Sequence, residues 1–293
     1  MKWKGRRSST NVSDQRGQRI RRTAGAGAAG TILNLVGRSF GIKGILVLVG
    51  LFILLSVTGI VDPAAFMGGG VQTQQVDHQP TPEEQVRFEF VKVVLADTED
   101  VWRAEFAERG ATYREPQLVI YTGLTNTACG QGQAAMGPFY CPADQTIYVD
   151  LGFYDELERT FRAPGDFAQA YVIAHEVGHH VQNLLGASGM VQRKRGQSDY
   201  NQWSVRLELQ ADFYAGVWAR NNQEYLEQGD IQEAMRAANA IGDDAIQGRM
   251  RGKVVPHTFT HGTSEQRMRW FNKGLQTGEM EEGNTFEMPY SQL

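Results

Sequence analysis

The most informative segment of the sequence is AYVIAHEVGHHVQNLLG, residues 170–186. Its apolar residues recur at helical spacing, which predicts a helix with one face in a core. His175 and His179 lie four residues apart and therefore project from one side of that helix. Because two imidazoles in this arrangement can bind one Zn²⁺ ion at about 2.0–2.1 Å, the segment predicts a metal-binding helix.

Glu176 is the residue of this segment that suits catalysis. It follows His175 by one position, about 100° around the helix, so it can flank a bound ion without coordinating it. There it could accept a proton from a water molecule on the metal. The alternative is a helix with a surface glutamate and ordinary core histidines. His180 points away from the metal face and is expected to be structural, and Gly178 indicates that a neighbour packs very close.

A third ligand is expected, since a catalytic zinc ion normally has three protein ligands and a water molecule. The segment WSVRLELQADFYAGVWA, residues 203–219, offers Glu208 and Asp212 four positions apart on one helical face. We expect Glu208 to bind the metal and Asp212 to accept a hydrogen bond from the outer nitrogen of a ligating histidine. A solvated acidic face is the alternative, but the large apolar residues around the two acids favour a buried site.

These motifs resemble those of a known family. The HEVGH motif of residues 175–179 and the ExxxD motif of residues 208–212 are similar to those of gluzincin metallopeptidases. More narrowly, the segments ACG…GPFYCPAD, GDFAQAYVIAHEVGHHVQ, ELQADFYAG and HGTSEQRMRWF resemble the bacterial neutral zinc metallopeptidase family over residues 83–277. The resemblance implies Zn²⁺, a zincin-like fold and peptide hydrolysis. The chain departs from it at Phe213, where family members often carry Cys.

The same resemblance suggests a catalytic role for His261. Thermolysin-like enzymes place a donor histidine beyond the third-ligand helix, where it stabilises the developing oxyanion. Tyr171, Tyr214 and Arg267 are alternative donors, and a role in a loop or a helix cap is the alternative for His261 itself.

The charge of the chain is divided unequally. Of 29 Lys and Arg and 33 Asp and Glu, residues 1–43 hold ten bases and one acid, which leaves 19 bases and 32 acids in the remainder. Residues 44–61, GILVLVGLFILLSVTGIV, carry no charge and would form a helix of about 27 Å, close to the ~30 Å hydrocarbon core. Because the bases precede this segment, the positive-inside rule predicts a cytoplasmic N-terminus and an extracytoplasmic domain at the cell membrane.

Two alternatives attach to this N-terminal region. A signal peptide is one, although the basic and apolar stretches are long and no A-x-A cleavage site follows them. A nucleic-acid-binding arm is the other, but Trp3 is the single aromatic residue before Phe40 at the end of the basic tail, so stacking platforms are missing and we predict no nucleic-acid partner.

Cys129 and Cys141 lie twelve positions apart in the part of the chain that is expected outside the cytoplasm. An oxidising compartment favours a disulfide between them. Two free thiols are the alternative, and a second metal site lacks a nearby His or Cys partner.

The pattern of the remaining chain predicts an α+β fold. Thr81 and Pro82 predict the start of a helix that Gly110 can end. Strands are expected at QLVIYTG and TIYVDLG, residues 117–123 and 146–152, and helices dominate elsewhere. The fold class is a mostly helical, zincin-like catalytic domain with a small sheet, preceded by one transmembrane helix. The predicted divisions are a basic cytoplasmic tail at 1–41, a transmembrane anchor at 42–61, a linker at 62–82, a zinc metallopeptidase domain at 83–280 and a flexible tail at 281–293.

The predicted function is that of a membrane-anchored zinc metallopeptidase with Glu176 as general base. Its expected partners are a peptide or protein substrate and the membrane, through the single N-terminal span. One alternative is a non-catalytic, zinc-stabilised membrane scaffold that binds a partner protein. Glu176 argues against it, because a structural zinc site needs no base and closes all four positions. Another is a zinc hydrolase that acts on a non-peptide amide.

Overall fold

The computed structural model describes residues 1–22, 71–75 and 78–293. In this part of the chain, the strands are β1 Val12–Asp14, β2 Gln18–Arg22, β3 Val71–Gln75, β4 Gln117–Tyr121, β5 Leu124–Thr127, β6 Gly130–Gln133, β7 Phe139–Cys141 and β8 Thr146–Asp150. The helices are α1 Pro82–Glu108, α2 Phe153–Arg159, α3 Asp166–Leu184, α4 Ala187–Gln192, α5 Tyr200–Asn221, α6 Asp230–Ala240, α7 Asp243–Arg251 and α8 Ser264–Thr277.

The chain divides into two compact units. The larger consists of residues 1–16 together with 78–293, and the smaller is residues 17–77. In the described residues of the smaller unit, β2 and β3 form an antiparallel ladder in which Gln18 lies opposite Gln75. All other elements belong to the larger unit, which has the predicted α+β composition.

A small mixed sheet forms one side of the larger unit, with the strand order β1-β4-β8-β7. β1 and β8 both pair with β4 in parallel, and Val12 and Thr146 lie opposite Leu118 and Gln117 respectively. β7 pairs with β8 in the antiparallel direction. β4 and β8 are buried along nearly their whole length, as expected for strands that are covered on both faces. Both strands were predicted, and each ends two residues earlier than expected.

α1 begins and ends where the sequence predicts. The Thr81 hydroxyl accepts a hydrogen bond from the backbone N–H of Glu84 at 3.2 Å, and the Glu84 carboxylate accepts one from the N–H of Thr81 at 2.7 Å. This capping box satisfies two backbone donors at the start of the helix, and Pro82 lacks a donor there. Gly110 follows the helix with φ +66°, a left-handed conformation that glycine adopts without strain.

Small residues bring the long helices into close contact. A methyl group on Gly178 of α3 would lie 2.9 Å from the carbonyl oxygen of Ala211 in α5. A methyl group on Gly216, further along α5, would lie even closer to the carbonyl oxygen of Phe271 in α8. Glycine is needed at both positions because a side chain would push the helices apart. The predicted close neighbour of Gly178 is therefore α5, the helix that carries the candidate third ligand.

Residues 1–16 are part of the folded unit. The Met1 ammonium group lies 2.7 Å from a carboxylate oxygen of Asp166 at the start of α3. Arg6 lies 2.7 Å from Asp97, a buried residue of α1. With β1 in the sheet, this segment both pairs with strands and neutralises buried acids, so it is not a separate basic tail.

The predicted single-pass topology is wrong, because residues 1–16 and residues 78–293 belong to one compact unit. A chain that crossed a membrane once between residues 16 and 78 would place two halves of one compact unit on opposite sides. Within the residues that the structure describes, no helix has both the length and the apolar character that a membrane crossing requires. The predicted anchor, residues 42–61, lies outside the described residues. The transmembrane part of the predicted fold class and the localisation derived from it are therefore corrected.

The C-terminal residues also contact the domain. The Thr285 hydroxyl is buried and donates to the carbonyl oxygen of Arg206 in α5 at 2.7 Å. Gln210, one turn further along α5, donates to the carbonyl oxygen of Gly283 at 2.9 Å. Residues 281–293, which were predicted as a flexible tail, thus pack against the helix of the candidate third ligand.

Candidate metal centre

α3 and α5 bring the three predicted metal ligands together. The imidazole rings of His175 and His179 have centroids 4.7 Å apart on one side of α3. The carboxylate of Glu208 on α5 lies 3.2 Å from Nε2 of His175 and 3.5 Å from Nε2 of His179. One candidate ligand atom from each residue lies within 4.8 Å of the other two. Two nitrogens and a carboxylate therefore converge on one point.

The outer nitrogens of both histidines are already hydrogen bonded. Nδ1 of His175 lies 2.8 Å from Oδ1 of Asp212, and Nδ1 of His179 lies 2.9 Å from Oε1 of Gln182. Because both partners are acceptors, each Nδ1 carries the proton of the neutral ring and each Nε2 presents its lone pair to the shared point. Two such nitrogens with one carboxylate are a ligand set of three-ligand catalytic zinc sites. The residues present therefore fit a zinc ion.

Asp212 is held in the interior by four hydrogen bonds from three residues. Besides His175, it accepts the Tyr171 hydroxyl at 2.5 Å and two N–H groups of Arg267, at 2.8 and 2.9 Å. Burial raises the pKa of Asp212, but the charges of Arg267 and His175 outweigh this and leave the pKa lowered. The carboxylate is therefore ionised and fixed, and it orients the ring of His175. Tyr171 and Arg267 are the alternative oxyanion donors of the sequence analysis. Both donate their hydrogen bonds to Asp212 instead.

Gln182 is a residue of the centre that sequence reasoning missed. Its amide nitrogen donates to the carbonyl oxygen of Leu207 at 2.6 Å and to Oε1 of Gln210 at 3.1 Å. These two contacts turn its carbonyl oxygen towards His179. A polar residue three positions after a ligating histidine, on the buried face of the same helix, was the available signal.

Glu176 lies beside the ligands without binding to them. Its side chain is buried, and it makes no hydrogen bond to any other residue that the structure describes. Burial raises its pKa, and the neighbouring His179 and His175 oppose the rise. A buried carboxylate without a partner has unused capacity to accept a proton.

The centre carries more fixed negative charge than positive. Burial lowers the pKa of His175, but Asp212 and Glu208 reverse this and raise its pKa to about 9. His179 is affected in the same direction, chiefly by Glu208 acting against burial. Arg267 is the one permanently charged base of this cluster. The carboxylates that attract protons to the rings would also stabilise a divalent cation between them.

His261 lies at the exposed side of the centre. Its backbone N–H donates to Oδ2 of Asp243 at 2.6 Å, and its Nδ1 lies 3.3 Å from Oδ1 of the same residue. Burial lowers the pKa of His261, but nearby Glu208 and then Asp243 raise it overall. The side chain is half exposed, at 50%. Asp243, which also accepts N–H groups of Thr260 and Gly262, is a second residue that sequence reasoning missed.

Tyr214, an alternative oxyanion donor in the sequence analysis, and His180 both have structural roles. Tyr214 packs edge-on against Trp102, with ring centroids 5.4 Å apart, in the core and away from the ligands. His180 is fully buried and lies 2.6 Å from the carbonyl oxygen of Arg114 and 3.0 Å from the hydroxyl of Tyr140. As expected, His180 faces away from the metal side of α3, where it connects the helix to β7.

Cys129 and Cys141 form the predicted disulfide. It connects the loop between β5 and β6 to the end of β7. β7 is also held to α3, because the Tyr140 hydroxyl accepts a hydrogen bond from Asn183 at 3.0 Å. The edge of the sheet is thereby fixed beside the metal-binding helix.

Comparison with known proteins agrees with this geometry. A family described as "Putative neutral zinc metallopeptidase" matches residues 1–286. The "Uncharacterized protein YpfJ" of Escherichia coli K12 is 47% identical over 291 residues, which cover 98% of this chain and 99% of that protein. The "Uncharacterized protein Mb2605" of Mycobacterium bovis is 44% identical over 187 residues, covering 59% and 63% respectively. No solved structure matches the chain. The chain belongs to the neutral zinc metallopeptidase family.

Proposed function

We propose that the chain is a zinc-dependent peptidase in which Glu176 is the general base. The observation that carries this proposal is the pairing of two features in one buried centre. His175, His179 and Glu208 present three ligand atoms to one point, and a fourth side chain, Glu176, lies beside them without a hydrogen-bond partner among the described residues. A structural site would have no use for that carboxylate.

A zinc ion held by the three ligands would supply Lewis acidity, which polarises a substrate carbonyl and makes a water molecule acidic. The chain supplies the remaining steps. Asp212 and Gln182 hold the two imidazole rings in their binding orientation. Glu176 accepts the proton of the attacking water and returns it to the leaving nitrogen.

His261 is proposed as the donor to the carbonyl oxygen that becomes negative. Asp243 holds its Nδ1, and Nε2 has no hydrogen-bond partner in the described part of the chain. The raised pKa of His261, to which Glu208 contributes most against the effect of burial, favours a ring that carries a proton on each nitrogen. Such a ring can donate to a developing oxyanion.

An extended peptide is the substrate that the surrounding fold suits best. β7 is the edge of the sheet on the side of α3 and is connected to that helix through Tyr140, His180 and Asn183. An edge strand leaves backbone N–H and C=O groups free, and a peptide can pair with them as an added strand. The scissile bond would then lie along the metal-binding helix.

The test is Glu176→Gln in the purified full chain, assayed against a mixed peptide library and a panel of non-peptide amides, with and without a chelator. The substitution keeps shape and removes the base. Peptide cleavage should fall by at least about 10²–10⁴, the usual contribution of a positioned general base, while zinc content and melting temperature stay near wild type. A scaffold would show no chelator-sensitive hydrolysis to lose. Hydrolysis of non-peptide amides alone would contradict the proposed substrate class.

A further inference from the structure

A shallow groove runs between α6 and α8, on a face that the proposed function does not use. Met235 of α6 and Met268 of α8 lie in two adjoining depressions, with volumes of about 550 and 440 Å³, and so join them into one groove. Both methionines are half-buried. The neighbouring residue of α8, Arg267, points instead into the metal centre, so the groove and the centre lie on different faces of this helix.

The groove walls follow helical spacing. On α6 they include residues 232, 235, 236 and 239, and on α8 they include residues 265, 268, 269, 272, 273 and 276. Residues three and four apart share one face of a helix. The groove therefore lies between one face of α6 and one face of α8, and ridges of side chains with a groove between them can receive a third helix.

The rim of the groove is strongly basic. Five of its side chains are cations and one, Glu265, is acidic, in a chain that has more acids than bases overall. The cations are Arg162, Arg236, Arg249, Arg269 and Lys273.

Most of these cations have no carboxylate to neutralise them. Arg162 and Arg236 are exposed and make no hydrogen bond or ion pair with any other described residue. Arg249 contacts the backbone carbonyl oxygen of Ala240. Arg269 contacts an oxygen of Leu293, the final residue of the sequence, and Lys273 lies 3.5 Å from a carboxylate oxygen of Glu282. Uncompensated charge of one sign at this density favours an anionic partner.

We infer that this groove binds an acidic amphipathic helix of a partner protein. Apolar side chains on one face of such a helix would insert between Met235 and Met268, and its carboxylates would meet the arginines on the rim. Methionine suits this purpose, because its flexible side chain adapts to different apolar partners. The depressions are open and shallow, which suits a helix more than an enclosed small molecule.

The chemistry of the groove favours a protein over a nucleic acid. Single-stranded nucleic acids bind through exposed aromatic rings on which bases stack. Phe161 is the aromatic residue of the groove, and the guanidinium group of Arg249 covers it, 5.0 Å from the ring centroid. The floor is made of thioether side chains instead, which contact apolar groups.

The experiment measures fluorescence polarisation of a labelled, helix-forming synthetic peptide with glutamates on one face and leucines at i, i+3 and i+7 on the other. Arg162→Glu combined with Arg236→Glu reverses two cations of the groove. The matched control is Arg193→Glu combined with Arg195→Glu, two exposed arginines outside the groove. Both variants change the net charge equally, and zinc content and melting temperature check that each is folded.

We expect the groove variant to bind the peptide at least tenfold more weakly and the control variant less than twofold more weakly. A peptide with serines in place of the leucines should also bind at least tenfold more weakly to wild type. Equal losses in the two variants would show attraction by net charge and overturn the proposal, as would no binding of the acidic peptide at all. A single-stranded oligonucleotide is tested in the same way. If it binds wild type more tightly than the peptide does, and binding is lost only in the groove variant, the partner is a nucleic acid and the proposal is overturned. None of these readouts depends on peptidase activity.

Discussion

Two buried clusters of acidic residues in this molecule differ in how their charge is neutralised. In the first, the N-terminal segment meets α1. Arg6 lies 2.7 Å from Asp97 there, and Arg7 lies 2.8 Å from Glu99. Each of these buried acids has a permanent cation of the same chain as its partner.

The metal centre is the second cluster, and its charges do not balance. Asp212 is paired with Arg267, but Glu208 faces only two imidazoles and Glu176 has no partner in the described chain. The first cluster is paired within the chain and serves the fold, whereas the second holds an excess of negative charge that a bound cation would offset. Changes to the first should therefore cost stability, and changes to the second should cost metal binding or catalysis.

The largest effect is expected from deletion of residues 1–16. The deletion removes β1 from the sheet, leaves the buried Asp97 of α1 without Arg6 and takes Arg7 away from the buried Glu99, and each uncompensated buried charge costs several kcal/mol. Together these losses approach the ~5–15 kcal/mol of a typical domain, so the truncated chain should lose its cooperative thermal unfolding, as measured by circular dichroism. Lys2→Gln with Lys4→Gln, two exposed bases of the same segment, should leave the transition unchanged. A truncated chain that melts like wild type would show that the N-terminal cluster is dispensable.

A smaller effect is expected when the residues that orient the ligands are changed. Asp212→Asn should weaken zinc binding about ten- to a hundredfold, because His175 loses a charged partner. Gln182→Met should act in the same direction through His179. Competition with a chromophoric chelator measures both. Asp243→Asn serves as the control, since Asp243 contacts His261 and no ligand. If all three variants bind zinc equally well, these contacts do not orient the ligands.

Arg7→Met removes the ion pairs of Arg7 with the buried Glu99 and the exposed Asp100. Glu99 is buried and would lose a charged hydrogen bond, so the free energy of unfolding should fall by about 1–3 kcal/mol. The control is Arg87→Met, which breaks a pair with the half-exposed Asp155 and should cost under ~1 kcal/mol. Urea denaturation measures the loss in both variants. Equal losses would show that the burial of Glu99 does not strengthen its pairing with Arg7.

The last prediction before the zinc measurement concerns the dependence of stability on pH. Burial raises the pKa of Asp97 to about 7, although Arg6 opposes the rise. The folded chain then holds this proton more tightly than the unfolded chain. The resulting stabilisation is complete below about pH 4 and is lost as the pH rises through about 7. Asp97→Asn should therefore lose less stability than wild type between about pH 5 and about pH 8 in urea denaturation. An unchanged pH dependence would show that Asp97 is ionised throughout.

The metal centre could be predicted because its ligands come from local patterns. Spacing on two helices was sufficient to propose His175, His179 and Glu208, and Gly178 indicated where the helices cross. Gln182 was missed because a glutamine on a buried helix face has no distinctive spacing.

The N-terminal segment could not be predicted in the same way. The ten bases of residues 1–43 match the pattern of a cytoplasmic tail, and the pairing of β1 with β4 joins residues that are more than a hundred positions apart. Long-range pairing of this kind leaves no periodic signal in the sequence. The disulfide between Cys129 and Cys141 is present, but its prediction was based on a localisation that the fold contradicts.

We propose that the second cluster binds one zinc ion, that Glu208 is a ligand of this ion and that Glu176 is not. The most direct measurement is the zinc content of the purified full chain by elemental mass spectrometry, compared between Glu208→Gln and Glu176→Gln. Both substitutions remove one negative charge from the same centre, so net charge does not separate them. We expect one zinc ion per chain in wild type and in Glu176→Gln, and loss of zinc in Glu208→Gln. Retention of zinc in Glu208→Gln would show that Glu208 is not a ligand, and loss of zinc in Glu176→Gln would show that Glu176 is one.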